Sequence, residues 1–206
     1  MRYEIDGNNI VLKEYDSFCI SETLECGQCF RFEKLGHEDY YIIAMERLLH
    51  IFNKGGDIVF ENTSETDFKN IWYNYFDFGR DYSEIKNILS SCDDTVKNAI
   101  NHAPGIRILN QDFFECLISF IISQNNRIPM IKKVVANISQ KYGKYLGEFN
   151  GNGCYSFPLP TDLVKANEAE LMECKTGFRA KYIIDAVSRL VSGEIDGHAF
   201  LNMSTG

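Results

Sequence analysis

Two short stretches carry residue types that chemistry can use. Ser123-Gln124-Asn125-Asn126-Arg127 is a run of five polar residues directly after a very apolar segment. Gly177-Phe178-Arg179-Ala180-Lys181-Tyr182 sets an aromatic, an arginine and a lysine at the start of a helix. Each alone reads as ordinary structure, the first as a polar helix end and loop, the second as an N-terminal turn. Together, asparagines and arginines beside an exposed aromatic suit a wedge that fills the hole left by a displaced base. Cys26 and Cys29 stand at CxxC spacing in LECGQCFRFE. Zinc would need a second ligand pair, and none of the four histidines is suitably spaced. A redox pair would open a helix after a strand, whereas these flanks read as extended on both sides of Gly27. Reduced, partly buried thiols are the better reading. No nucleophile–base pair, metal cluster or glycine-rich phosphate loop stands at working spacing. Neither a cofactor nor a metal is therefore expected.

The elements that must position these residues come from a chain of 206 residues, 45% hydrophobic and 13% aromatic. That suffices for one large domain or two small ones with a real core, and excludes a wholly disordered chain. Twenty-one Lys and Arg against 29 Asp and Glu leave a formal charge of -8. This argues against nucleic-acid binding driven by bulk charge, but not against local DNA contacts. No apolar run approaches bilayer length, and MRYEIDGNNI has no signal-peptide core. The expectation is a soluble, intracellular protein with no membrane partner. The seven cysteines form an odd and scattered set.

Up to about Asp81 the pattern is strand-like. Residues 9–12, 29–33, 40–45, 47–52 and 58–60 are β-branched, aromatic or aliphatic and are punctuated by turn formers. They predict an antiparallel sheet of about five strands. One helix starts at Ser64 and carries Phe68, Ile71, Trp72, Tyr75 and Phe76. Beyond Asp81 the texture is helical. Ser83 is expected to cap one helix, residues 93–102 form another, and Asn110 caps a third over 112–124 that is apolar almost all round and so central. Residues 128–142 are amphipathic, 147–160 read as a surface loop, 161–166 and 168–174 as short helices, and 178–191 as a last amphipathic helix. The fold class is α+β, with an N-terminal sheet domain (1–81) and a helical domain (82–206).

Cys26-Gly27-Gln28-Cys29-Phe30-Arg31-Phe32, Gly105 to Asp112 with the following Phe113 to Asn126, and Gly177 to Tyr182 occur in the order and at the spacing of one family. The chain resembles the 8-oxoguanine DNA glycosylases of the helix-hairpin-helix superfamily along essentially its whole length. The resemblance implies base-excision repair of double-stranded DNA containing 8-oxoguanine, by a bifunctional glycosylase and AP lyase acting as a monomer. It implies that the Gly27 carbonyl accepts from the N7–H that normal guanine lacks. A single acceptor can separate the two bases, because guanine would set lone pair against lone pair. Asn125 matches the asparagine that enters the duplex where the base was, with Asn126 beside it. Phe178 holds the aromatic wedge position, and Arg179 matches the arginine that reads the orphaned cytosine. Met130 stands where many relatives carry a second arginine, which implies looser opposite-base selection and resembles the bacterial members, acting in the cytoplasm at the nucleoid.

The family's hairpin, of the form Leu-Pro-Gly-Val-Gly, should begin shortly after residues 194–203, with a nucleophilic lysine and an assisting aspartate in and after it. The sequence ends at Gly206 before such a hairpin. The catalytic pair is therefore expected beyond Gly206, and Lys132, Lys133 and Lys181 are poor substitutes for a Schiff-base amine. The 206 residues alone are expected to be inactive. The alternative reading is a non-catalytic DNA-damage-binding module.

Overall fold

The computed structural model describes residues 2–13, 15 and 17–197. They form two compact units, one of residues up to 42 with 49–110 and the other of residues 43–48 with 111–197. The change of texture at Asp81 is thus not the edge of the first unit, because the next two helices cluster with the sheet.

The sheet has six strands: β1 (Tyr3–Asp6), β2 (Asn9–Leu12), β3 (Phe32–Gly36), β4 (Asp39–Ala44), β5 (Arg47–Lys54) and β6 (Asp57–Glu61). Their order is β1-β2-β6-β5-β4-β3. The β1–β2, β2–β6, β5–β6 and β3–β4 ladders are antiparallel. Opposite Phe60 lie Ile10 on one side and Ile51 on the other. The period of two sends Ile10, Leu12, Ile42, Leu49, Ile51, Ile58 and Phe60 inward, all at most 1% exposed. Leu49 and Ile51 are therefore the inward set of β5, with half-buried Leu48, His50 and Phe52 between them.

Three sequence expectations change in this unit. β1 adds a sixth strand, drawn from a polar tetrapeptide whose residues are mostly exposed. The segment before Gly27 is a helix, α1 (Ile20–Leu24), and pairing in β3 starts only at Phe32. Glu38 explains that helix: its carboxylate accepts from the Ile20 and Ser21 amides at 2.7 and 3.0 Å, satisfying donors that the sequence shows no local cap for. Ser64 caps as expected, accepting from the Asp67 amide. The following run is α2 (Glu65–Asp67), a widened π turn (Phe68–Trp72) and α3 (Tyr73–Tyr75). It seats Phe68, Trp72, Tyr75 and Phe76 in the core, with Phe60 5.2 Å from the Phe68 ring and 5.8 Å from the Phe76 ring.

Helix α4 (Tyr82–Ser90) is capped by Asp81, not Ser83, because the Asp81 carboxylate accepts from both the Ser83 and Glu84 amides. Helix α5 (Asp94–His102) is capped by Asp93. The chain then returns along residues 105–110, where the Cys19 amide donates to the Gly105 carbonyl at 2.9 Å. A Cβ on Gly105 would lie 2.4 Å from that of Cys19, so only glycine permits this approach.

In the second unit, α6 (Phe113–Ser123) is capped by Asp112 rather than Asn110. Phe114, Ile118 and Ile122, spaced by four, are buried, whereas Phe120 on the opposite side is 65% exposed. The helix is therefore one-sided, not buried all round. Helix α7 (Ile128–Tyr142) buries Ile131, Val134, Val135 and Ile138 as its periodicity predicts. A hairpin, β7 (Tyr145–Phe149) with β8 (Asn152–Tyr155), overlaps the stretch 147–160 that the sequence reads as a loop. Helices α8 (Pro160–Leu163) and α9 (Glu168–Glu173) follow. A 3-10 turn (Gly177–Arg179) then leads into α10 (Ala180–Val191). Among the described residues, no helix is long and apolar enough to cross a membrane.

Candidate nucleic-acid interface

In the first unit the site residue is Gly27, in the turn between α1 and β3. Its φ of +92° lies where L side chains are strained, and nothing stands within 4 Å of the position a Cβ would take. The need for glycine here is conformational, and the turn is open to solvent. Gln28 holds it. The Gln28 Nε2 donates to the carbonyls of Thr23 and Arg107, both at 2.8 Å, and its Oε1 accepts from the Leu109 amide at 2.9 Å. One carboxamide thus joins the Gly27 turn to the end of α1 and to the returning segment 105–110. Cys26 donates to the Thr23 carbonyl, Cys29 is buried, and all seven cysteines are free thiols.

Beneath this turn Arg107 is 1% exposed. Its guanidinium donates to the Asp77 carbonyl and the Tyr15 hydroxyl, both at 2.7 Å. The Tyr82, Phe78 and Tyr15 ring centres lie 4.4, 5.3 and 5.5 Å from it. A buried guanidinium needs such neighbours, since desolvating a charge is costly.

In the second unit the polar run and the 3-10 turn come together. Helix α6 stops at Ser123, and Asn125 takes a left-handed conformation with φ +49°. Asn126 donates from Nδ2 to the Ile122 carbonyl at 3.1 Å and accepts the Arg127 amide on Oδ1 at 2.9 Å. Arg127 is the N-terminal cap position of α7, and Pro129, which has no N–H to leave unsatisfied, sits in the first turn.

Arg179 is 9% exposed and ties this loop down. Its Nε donates to the Gln124 carbonyl at 3.1 Å and its Nη2 to the Asn125 carbonyl at 3.1 Å. The guanidinium also lies 4.5 Å from the Phe178 ring centre. Phe178 itself is 58% exposed and meets Tyr182 edge to face at 6.4 Å. Asn125, Asn126, Arg127 and Met130 line a recess of about 330 Å³. The structure therefore joins Asn125, Asn126 and Met130 in one recess and bonds Arg179, with Phe178 against its guanidinium, to the loop that forms it.

The acidic chain carries local positive charge in this unit. The Lys133 ammonium beside Lys175 holds the latter below the usual lysine range, both groups being exposed. Two residues had no role read from sequence. Arg127 stands in the polar run and Gln28 between Gly27 and Cys29. The signal for each was its type and neighbours, but its bonds come from chain segments far apart in sequence.

Residues 10–117 match the family model described as 8-oxoguanine DNA glycosylase, N-terminal domain, and residues 118–202 match that of the HhH-GPD superfamily base excision DNA repair protein. The chain is 30% identical over 184 residues to the N-glycosylase/DNA lyase OGG1 of Arabidopsis thaliana, covering 87% of this chain and 50% of that protein. It is 39% identical over 95 residues to the N-glycosylase/DNA lyase of Saccharomyces cerevisiae, covering 46% of this chain and 25% of the relative. The chain thus spans half the length, or less, of these curated relatives. Among solved structures, it superposes on the Clostridium acetobutylicum 8-oxoguanine glycosylase/lyase, determined with double-stranded DNA containing cytosine opposite 8-oxoG. The TM-score is 0.93 at 42% identity, covering 99% of this chain and 70% of that one. By these matches, on top of an antiparallel sheet followed by a helical unit, the chain belongs to the 8-oxoguanine DNA glycosylase family.

Proposed function

We propose that this protein acts in base-excision repair, recognising 8-oxoguanine opposite cytosine in double-stranded DNA as part of an N-glycosylase with AP lyase activity. The observation that carries the reading is the second unit's cluster, in which Arg179 is bonded to the Asn125 carbonyl and stacked against an exposed Phe178. In this reading Phe178 wedges the duplex, Asn125 and Asn126 occupy the space of the extruded base, and Arg179 and Met130 face the orphaned cytosine. Gly27 offers its carbonyl to the N7–H of the lesion, from a turn that no side chain obstructs. The protein works as a monomer in the bacterial cytoplasm, on the nucleoid. Within residues 1–206 no lysine takes the part of the Schiff-base amine.

Equilibrium binding to duplexes that differ only in 8-oxoguanine or guanine opposite cytosine tests the reading. Preference for the lesion is expected, and equal affinities would overturn it. The 206-residue chain is expected to give no borohydride-trapped adduct with lesion DNA. Trapping would place the amine among these residues.

A further inference from the structure

The recess beside Met130 contains one guanidinium whose donors are uncommitted, and it is not that of Arg179. Arg179 spends Nε and Nη2 on the Gln124 and Asn125 carbonyls. In the recess itself, Met130 has no donor, and the Asn126 carboxamide is committed at both ends to backbone. Arg127 lines the same recess and is exposed, and its side chain has no hydrogen-bond or ion-pair partner among the described residues. Its backbone is firmly placed, because its carbonyl opens α7 by accepting from the Met130 and Ile131 amides at 2.9 and 3.0 Å. The result is a rigid base with an unoccupied planar fork.

We infer that Arg127 is a specificity-determining residue that reads the orphaned base, supplying the donors that Met130 lacks. A guanidinium fork suits the adjacent O2 and N3 acceptors of an unpaired cytosine, which no other base presents in the same arrangement. The recess favours a base edge over a phosphate. At about 330 Å³ it is a concavity of small-ligand size, lined by two asparagines and a thioether as well as the arginine. The inference rests on the opposite-base reading proposed above.

The test uses duplexes bearing a tetrahydrofuran abasic-site analogue opposite C, T, A or G, so that only the orphaned base varies. Because the Arg127 side chain holds nothing in the fold, Arg127→Ala is expected to keep its melting temperature. Its preference for C over the other three bases is expected to fall by roughly tenfold or more, the scale of one bidentate base contact. Arg127→Lys, which keeps the charge but not the fork, should not recover the preference. If Arg127→Ala instead weakens all four equally and lowers the salt slope by about one, the side chain contacts a phosphate and the inference is overturned. Unchanged affinities and ratios overturn it too. Arg179→Ala, run in parallel, separates the two levels. If it shifts the ratios while Arg127→Ala does not, only the role of Arg127 fails; if neither shifts them, the opposite-base reading fails as well.

Discussion

The Arg179 guanidinium donates to the Asn125 carbonyl oxygen at 3.1 Å, so the proposed cytosine reader also holds the backbone of the proposed duplex-filling residue. Four of its five donors already rest on backbone carbonyls, so a two-pronged contact to a base requires that guanidinium to release at least one of them. Arg179→Ala is therefore expected to cost both fold and selectivity. Charged hydrogen bonds of this kind are worth about 1.5–3 kcal/mol, or a fall of roughly 3–10 °C in melting temperature for a chain of this size. Calorimetry of Arg179→Ala and Arg179→Lys checks it. The lysine is expected to regain part of the stability and none of the preference for orphaned cytosine.

Met130 is 43% exposed in the recess and offers no donor. Met130→Arg is expected to raise the preference for cytosine opposite the lesion by about tenfold, since a bidentate base contact carries roughly 1–3 kcal/mol of discrimination. Binding to 8-oxoguanine duplexes with each of the four opposing bases measures it. Unchanged ratios would show that position 130 does not face the orphaned base.

The Gly27 turn depends on the Gln28 carboxamide, which closes three hydrogen bonds to Thr23, Arg107 and Leu109. Gln28→Leu leaves two carbonyls and an amide to find other partners, an expected loss of about 2–3 kcal/mol. Gly27→Ala meets no steric block and costs about 1–2 kcal/mol through backbone strain alone. Chemical denaturation should rank the two in that order. Both variants should lose preference for 8-oxoguanine over 8-methoxyguanine, which has no N7–H. A Gln28→Leu protein that keeps this preference would separate the turn's geometry from base reading.

Tyr40 is fully buried and donates to the Glu25 carboxylate. Burial first, and that carboxylate second, push its hydroxyl up to about 12. An unfolded chain loses this proton near pH 10, while the folded chain keeps it to about 12. The folded state therefore binds more protons in that window, and stability must fall as pH rises through it, by up to about 2–3 kcal/mol. Tyr40→Phe is expected to flatten the alkaline limb of a stability–pH curve. An unchanged slope between pH 10 and 12 would count against the assignment.

Burial, then Glu115 and Asp112, push the Cys116 thiol on α6 up to about 11. At pH 8 little of it is thiolate, the reactive form. Iodoacetamide with peptide mapping should label exposed Cys26 and Cys92 well before Cys116. Rapid labelling of Cys116 would show that α6 opens locally.

Much of the architecture is legible in residue types alone. The inward stripe of α7 and the cap at Ser64 are local, fixed by a period of 3.6 and by a side chain that reaches its own backbone. The family resemblance, too, rests on ordered short motifs and needs no structure. Elsewhere the deciding partner lies far along the chain. Helix α1 forms where the flanks of Gly27 look extended, because the carboxylate of Glu38, some eighteen residues on, caps it. The β7–β8 hairpin closes over residues whose glycines read as loop, since ladder bonds repay a conformation that propensity disfavours. Asp81 and Asp112 displace Ser83 and Asn110 as caps, a shift of two residues in each case that composition does not decide. The site divides in the same way. Asn125, Phe178 and Arg179 stand out by type, but that Arg179 is already bonded while Arg127 keeps its fork uncommitted depends on backbone carbonyls some fifty residues away. Sequence names the donors; only the packed chain decides which acceptors they have already found.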